Sequence, residues 1–194
     1  YHKFDDLLRL VEETDARGNS THYAFNERGN MDSVVGRNGV ETAYTYDANG
    51  NVIQKTEAVG PPVEHITTAT FDANNNPLTK TNARGYSQLI EYDSVNGNLV
   101  AFYDCGPVAL VDCDTDPSVP RTEYAYFTNG KMKSVTEAAG DVALERTVSY
   151  LYDLEGNQVK ITAALGNFCE FTFDDVGRKE TESHPLGRGA FFVY

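Results

Sequence analysis

The stretch GVETAYTYDANGNV, from Gly39 to Val52, decides the reading of the whole chain. Tyr44 and Tyr46 stand two apart, and residues two apart on a strand face the same side. Behind Tyr46 comes DANGN, beginning at Asp47. An Asp opening a turn can bond the backbone two residues on, and a Gly near its end supplies positive φ. Together they fit a type I turn followed by a left-handed residue, a common short hairpin connection. The same frame recurs as NERGN from Asn26, FTNGK from Phe127, DLEGN from Asp153 and DDVGR from Asp174, with turn glycines Gly29, Gly50, Gly130, Gly156 and Gly177.

Outward from Tyr46 the aromatic anchor repeats along the chain, at Phe4, Phe25, Tyr46, Phe71, Tyr92, Tyr126, Tyr152, Phe173 and Tyr194. The successive separations are 21, 21, 25, 21, 34, 26, 21 and 21 residues. A glycine follows each of the first eight anchors at a constant distance of 14: Gly18, Gly39, Gly60, Gly85, Gly106, Gly140, Gly166 and Gly187. All variation in length therefore falls between that glycine and the next anchor. Many of these glycines close a second turn, as in DARG, NARG, EAAG and HPLG. A fixed internal period marks a repeat architecture. The reading is a single array over residues 1–194, with units near 4–24, 25–45, 46–70, 71–91, 92–125, 126–151, 152–172 and 173–193. Each unit carries two turns and two short strands.

Fifteen of the 22 aromatic residues occupy the anchor or the position two before it. Stacked in register, they form ladders on one face of an antiparallel meander, read as core rather than as a ligand platform. Four units depart from the pattern. Leu8 stands where the first turn needs glycine, so that hairpin is expected to be looser or differently shaped. Asn75 takes the left-handed position in FDANNNP, which Asn tolerates. The fifth unit has one extra residue before Gly97, and the sixth has Phe127 in place of the turn Asp.

Composition narrows the function. The chain has 194 residues, 16 basic and 29 acidic, for a formal charge of −13. That balance excludes nucleic acid and anionic membranes as expected partners, because phosphate binding draws on Lys and Arg clusters. No apolar run, the one at Pro107 to Val111 included, is longer than five residues, against the ~20 a membrane helix needs, so no membrane insertion is expected. The opening YHKFDDLLRL shows no signal-peptide pattern.

The motifs resemble the YD repeat, also called the RHS repeat. They are GVETAYTYDANGNV, VSYLYDLEGNQV (Val148 to Val159) and LGNFCEFTFDDVGRKETESHPLGR (Leu165 to Arg188). The resemblance implies an all-β fold, an antiparallel hairpin array coiling into a curved or spiralling, shell-like sheet. In such proteins the shell encloses a toxin domain of secreted bacterial polymorphic toxins and insecticidal complexes. Similar repeats occur in wall-associated proteins and in adhesion receptors called teneurins. Size supports curvature: about sixteen strands spaced ~4.8 Å apart make a ribbon on the order of 75 Å, and open sheets of that size usually curl or split. A four-bladed propeller competes, two units giving four strands. Against it, odd and even units carry the same signature. Because the chain starts and stops within units, further repeats or further copies of the chain are expected to continue the sheet at its edges.

The sites are few. Cys105 and Cys113 bracket the longest insert, CGPVALVDCDTDPSVP. In the oxidising compartment the resemblance implies, a disulfide between them is expected, two free thiols being the alternative. Cys169 reads as a lone buried thiol. Asp112, Asp114 and Asp116 alternate like the opening of a calcium loop. Pro117 and Glu123 hold the positions where that loop carries Gly and its bidentate Glu, so a solvated acidic loop is the better reading. His2, His22, His65 and His184 show no ligand spacing, and His184 replaces the polar residue of a second turn. The family's self-cleaving Asp motif, DPxGL, is matched only by HPLGR with His in the Asp position, so no catalytic residue is carried over. No cofactor is expected, and the chain is read as non-enzymatic. The expectation is a structural segment of a secreted or cell-surface protein, part of a shell around toxin cargo or of an extracellular scaffold. The rival is an adhesion or glycan-binding module, or a filament subunit, using inserts at 61–64, 107–119 and 141–145.

Overall fold

A computed structural model describes residues 1–58, 64–107, 109–184 and 189–192, and these build short antiparallel hairpins. The chain divides into two compact units, Tyr1–Leu89 with Gly106–Ala109, and Ile90–Cys105 with Leu110–Tyr194. The first holds β1 (His2–Phe4), β2 (Leu10–Thr14), β3 (Ser20–Phe25), β4 (Met31–Val35), β5 (Glu41–Tyr46), β6 (Val52–Ala58), β7 (Glu64–Phe71) and β8 (Pro77–Thr81). The strand β9 (Ser87–Tyr92) begins in the first unit and ends in the second. The second holds β10 (Leu99–Gly106) up to Cys105, β11 (Arg121–Tyr126), β12 (Met132–Glu137), β13 (Arg146–Tyr152), β14 (Gln158–Thr162), β15 (Phe168–Phe173), β16 (Lys179–Ser183) and β17 (Gly189–Phe191). From β1 to β9, and again from β10 to β17, each strand pairs antiparallel with the next in chain order. The one helical element among the described residues is a 3-10 turn at Leu110–Asp112.

The turns follow from their first residue. Asp47 donates its N–H to the Asn51 carbonyl at 3.0 Å, and its own carbonyl accepts from Gly50 at 3.3 Å. Its Oδ1 accepts the N–H groups of Asn49 and Asn51, both at 2.9 Å. Gly50 sits at φ 91°, where a Cβ would crowd the following carbonyl. Asp5, Asp15, Asn26, Asp72, Asn82 and Asp174 hold their turns with the same two side-chain bonds. The first turn corrects the expectation of a looser hairpin. Leu8 adopts φ 60° and donates its N–H to the Asp5 carbonyl at 3.0 Å, within the frame its glycine counterparts use. The Asp5 carboxylate, which also holds Arg9 Nε at 2.7 Å, fixes the turn despite the side chain.

The two turns of a unit are not equivalent. Pairing shifts by one residue beside the anchor in seven of the anchor hairpins, between Lys3 and Phe4, Ala24 and Phe25, Thr45 and Tyr46, Thr70 and Phe71, Ala125 and Tyr126, Leu151 and Tyr152, and Thr172 and Phe173. No shift interrupts the pairing across the second turns, as at Thr14 with Ser20 or Val35 with Glu41. The bulge has a geometric reason. The common period of 21 is odd, whereas side chains alternate faces with period two. Plain pairing through both turns would put the rings of successive units on opposite faces. One extra residue per unit, such as Asp32 or Ile53, restores them to one face, and a bulge also bends its strand.

Burial follows that alternation. Tyr23 and Phe25 are half-buried while His22 and Ala24, which alternate with them, are exposed, and Tyr124 with Tyr126, and Phe171 with Phe173, repeat the alternation. The rings do share a face, but they are not a sealed core. The anchors Phe25, Tyr46, Phe71, Tyr92, Tyr126, Tyr152 and Phe173 are all half-buried, and Phe4 is exposed. Cations cover several rings instead: Arg9 lies 4.8 Å over Phe25 and Lys131 4.9 Å over Tyr152. The buried apolar residues among those described are Ala101, Tyr103, Cys105, Cys113, Val119 and Ala139. They gather where the insert after β10 folds back. A single layer of hairpins has no second layer to close over its rings.

Candidate functional surfaces

The insert between β10 and β11 is the most enclosed part of the chain. Cys105 and Cys113 form a disulfide, their Cα atoms 5.4 Å apart, and both are almost fully buried. The Asp104 N–H donates to the Pro120 carbonyl at 3.0 Å, closing the base of the loop where it rejoins the strands. Gly140 lies against the Arg121 guanidinium at φ 91°, and a Cβ there would meet Nη2 at 3.2 Å. The positive φ favours glycine at this position, while the guanidinium, the far end of a flexible side chain, can yield to a Cβ.

Asp112, Asp114 and Asp116 do not converge. The Asp112 carbonyl accepts the Asp116 N–H at 2.8 Å, and Asp116 Oδ1 accepts from Ser118 Oγ at 2.7 Å and Ser118 N–H at 2.8 Å. These bonds, the serine hydroxyl first, hold the Asp116 carboxyl below the usual range. Among the described residues no three His, Cys, Asp or Glu side chains group as metal ligands. The insert at 141–145 is a compact turn in which the Leu144 and Glu145 N–H groups donate to the Asp141 carbonyl, leaving Val142 and Leu144 exposed. Gly60, Gly187, Tyr194, most of the 61–64 insert and residue 108 lie outside the described residues.

Two open grooves run beside the ladders. One, of about 470 Å³, is walled by Arg28, Asp32, Tyr44, Tyr46 and Asp47. The Tyr46 hydroxyl donates to the Met31 carbonyl at 2.6 Å, and burial, then the charges of Tyr44 and Asp32, raises the pKa of its phenol. The other, of about 330 Å³, lies between Glu91, Tyr103, Glu123, Tyr124 and Thr136. The Tyr103 hydroxyl donates to Glu91 Oε2 at 3.2 Å, and burial first, then the Glu91 charge, pushes its pKa up. Among the described residues lining them, no nucleophile with a base beside it stands in either groove.

One cluster escapes the sequence reading. Cys169 is half-buried rather than buried, and its Sγ lies 2.9 Å from His184 Nδ1. The other ring nitrogen, Nε2, lies 3.1 Å from Glu182 Oε1. The signal was the hairpin register: pairing of Glu170 with Ser183 brings the next positions, Cys169 and His184, opposite one another.

Comparison with known proteins bears on the repeat. Residues 4–36 match the family model described as RHS Repeat. Over 89% of its length the chain superposes on the crystal structure of TcdB2-TccC3-Cdc42, with a TM-score of 0.67 and 16% identity, covering 10% of that chain. For TcdB2-TccC3 without hypervariable C-terminal region the TM-score is 0.66 and the identity 15%, with 89% of this chain and 10% of that one covered. The chain therefore spans about a tenth of the length of these solved chains, and at this identity the likeness shows the fold. No curated protein matches.

Proposed function

We propose that this chain, which carries the RHS repeat at residues 4–36, is a non-enzymatic structural segment of a secreted RHS-repeat protein. In this reading residues 1–194 are one array, contributing hairpins to a shell around toxin cargo or to an extracellular scaffold. The carrying observation is the half-buried ring ladder. Bulges hold the aromatic anchors to one face, yet no second layer of the described chain seals them. A surface maintained that way over many hairpins suits a wall that faces an interior or a large partner. Its partners are further repeats of the same protein or further copies, an enclosed toxin domain, or a surface glycan. The place of action is the cell exterior, where the Cys105–Cys113 disulfide persists.

Negative-stain electron microscopy of the chain with whatever its reading frame carries on either side tests the reading. Hollow ovoid particles are expected. Continuous fibres would point to a filament, and particles without a cavity would overturn the shell. Deleting residues 107–119 should leave the particle intact, whereas an adhesion module using that insert would lose its ligand.

A further inference from the structure

We propose that Cys169 is an activated nucleophilic thiol, with His184 as its base and Glu182 as the residue that positions His184, and that it exchanges with small disulfides. The inference is independent of the structural role, since it needs one reaction per chain and no turnover. Of the three cysteines, two are joined to each other, which leaves Cys169 as the thiol available for reaction.

The geometry has the order a thiol nucleophile requires: nucleophile, base and orienting group within hydrogen-bond reach. The Glu182 carboxylate, its Oε1 3.1 Å from Nε2 in an ion-pair contact, favours a hydrogen on that nitrogen, and Nδ1 is then free to accept from the thiol at 2.9 Å. Glu182 is itself held, because its Oε2 accepts from Lys179 Nζ at 3.4 Å while that ammonium lies 4.3 Å over the Phe171 ring. The pairing of Phe171 with Glu182 sets all four groups on one face of β15 and β16. From β14 that face receives Ile161, opposite Cys169, which carries no charge. The Lys160–Glu170 ion pair, one position along, belongs to the other face. From β17 the same face receives the uncharged Ala190, opposite Glu182. Among the described residues Lys179 and Glu182 are therefore the charged groups beside the Cys169–His184 pair on this face. The His184 side chain is 42% exposed, so a small molecule reaches the pair from solvent.

The step balances without a further reagent. The thiol proton passes to Nδ1, and the thiolate attacks one sulfur of a small disulfide. The Sγ–S bond forms as the S–S bond breaks. The departing thiolate takes the proton back from His184. Cys169 is oxidised to a mixed disulfide, and one equivalent of small thiol is released. Thiolate character and access govern such exchange.

Intact-mass spectrometry of the 194-residue chain with oxidised glutathione, followed over time from pH 6 to pH 9, tests the proposal. The wild type should form one adduct about tenfold faster at pH 7 than His184→Gln, as expected when a positioned base is lost. It should also react faster than the same chain unfolded in urea. Glu182→Gln should fall between the two, with its rate profile displaced toward that of His184→Gln, a change that a merely structural side chain would not produce. Cys169→Ser should give no adduct. Equal rates for wild type and His184→Gln, or for native and unfolded wild type, would overturn the proposal. Should circular dichroism show either variant misfolded, the native-to-unfolded comparison on the wild type still decides it.

Discussion

Leu8 holds a backbone conformation that most of the other turns give to glycine, at φ 60°. For an L-residue the left-handed region costs about 1–2 kcal/mol, and Leu8 is 82% exposed, so its side chain returns little of that. Leu8→Gly should therefore stabilise the chain by about 1 kcal/mol, less the entropy glycine gains when unfolded. Urea denaturation checks it, and an unchanged or lowered midpoint would mean that Leu8 makes a contact worth keeping. Asn75→Gly should give less, because Asn tolerates φ 66° and Asn75 Oδ1 accepts from Asn51 Nδ2 at 2.8 Å. The turn carboxylates set a pH limit on the same residues. In Asp5, Asp15 and Asp174 the N–H four residues on is the foremost cause of a lowered pKa, and in Asp47 and Asp72 it is the side-chain amide of Asn51 and Asn76. A folded value below the ordinary 3.8 means stability that is full above that value and lost as pH falls through the lower folded one. Urea midpoints should hold level from pH 7 to about 5 and drop below about pH 4. A midpoint level down to pH 2.5 would show that these bonds do not favour folding.

At the scale of the hairpin, the bulge beside each anchor does what the turn residues alone cannot. Deleting Asp32, the extra residue of β4, gives plain pairing from Phe25 and Met31 outward. Parity then turns Tyr23 and Phe25 to the face opposite Tyr44 and Tyr46. The deletion should abolish the cooperative thermal transition of the first unit, followed by circular dichroism, whereas Asp32→Ser, which keeps the length, should stay within about 0.5 kcal/mol of the parent. A deletion variant that melts like the parent would remove the parity argument. This contrast also marks what could be read in advance. Turns such as DANGN are local chemistry, and a period of 21 is visible on its face, so hairpins and ladders were legible. The bulge was implicit in that odd number, but it emerges only once pairing partners are known. The same holds for Cys169 and His184, which adjacent letters do not connect and a register does. Burial was misjudged for a different reason: alternation tells which side chains share a face, not whether anything covers it.

Over the whole molecule, contacts run between strands that are neighbours in the chain. Stability in such an array is a sum of hairpins and nearest-neighbour interfaces, so a local change should stay local. The disulfide offers the sharpest test, because it sits among the few buried apolar side chains of the described residues. Closing a loop with a sequence separation of 8 contributes about 2–3 kcal/mol by restricting the unfolded chain. Replacing both Cys105 and Cys113 with Ser should lower the protection of amides in β10 and β11 by that amount, read by native-state hydrogen exchange. Amides in β3 to β6 should exchange as in the parent, since neighbour coupling fades over the intervening strands. Equal loss of protection from β2 to β17 would instead mean that the chain unfolds as one cooperative body, with the buried cluster at the insert as its nucleus.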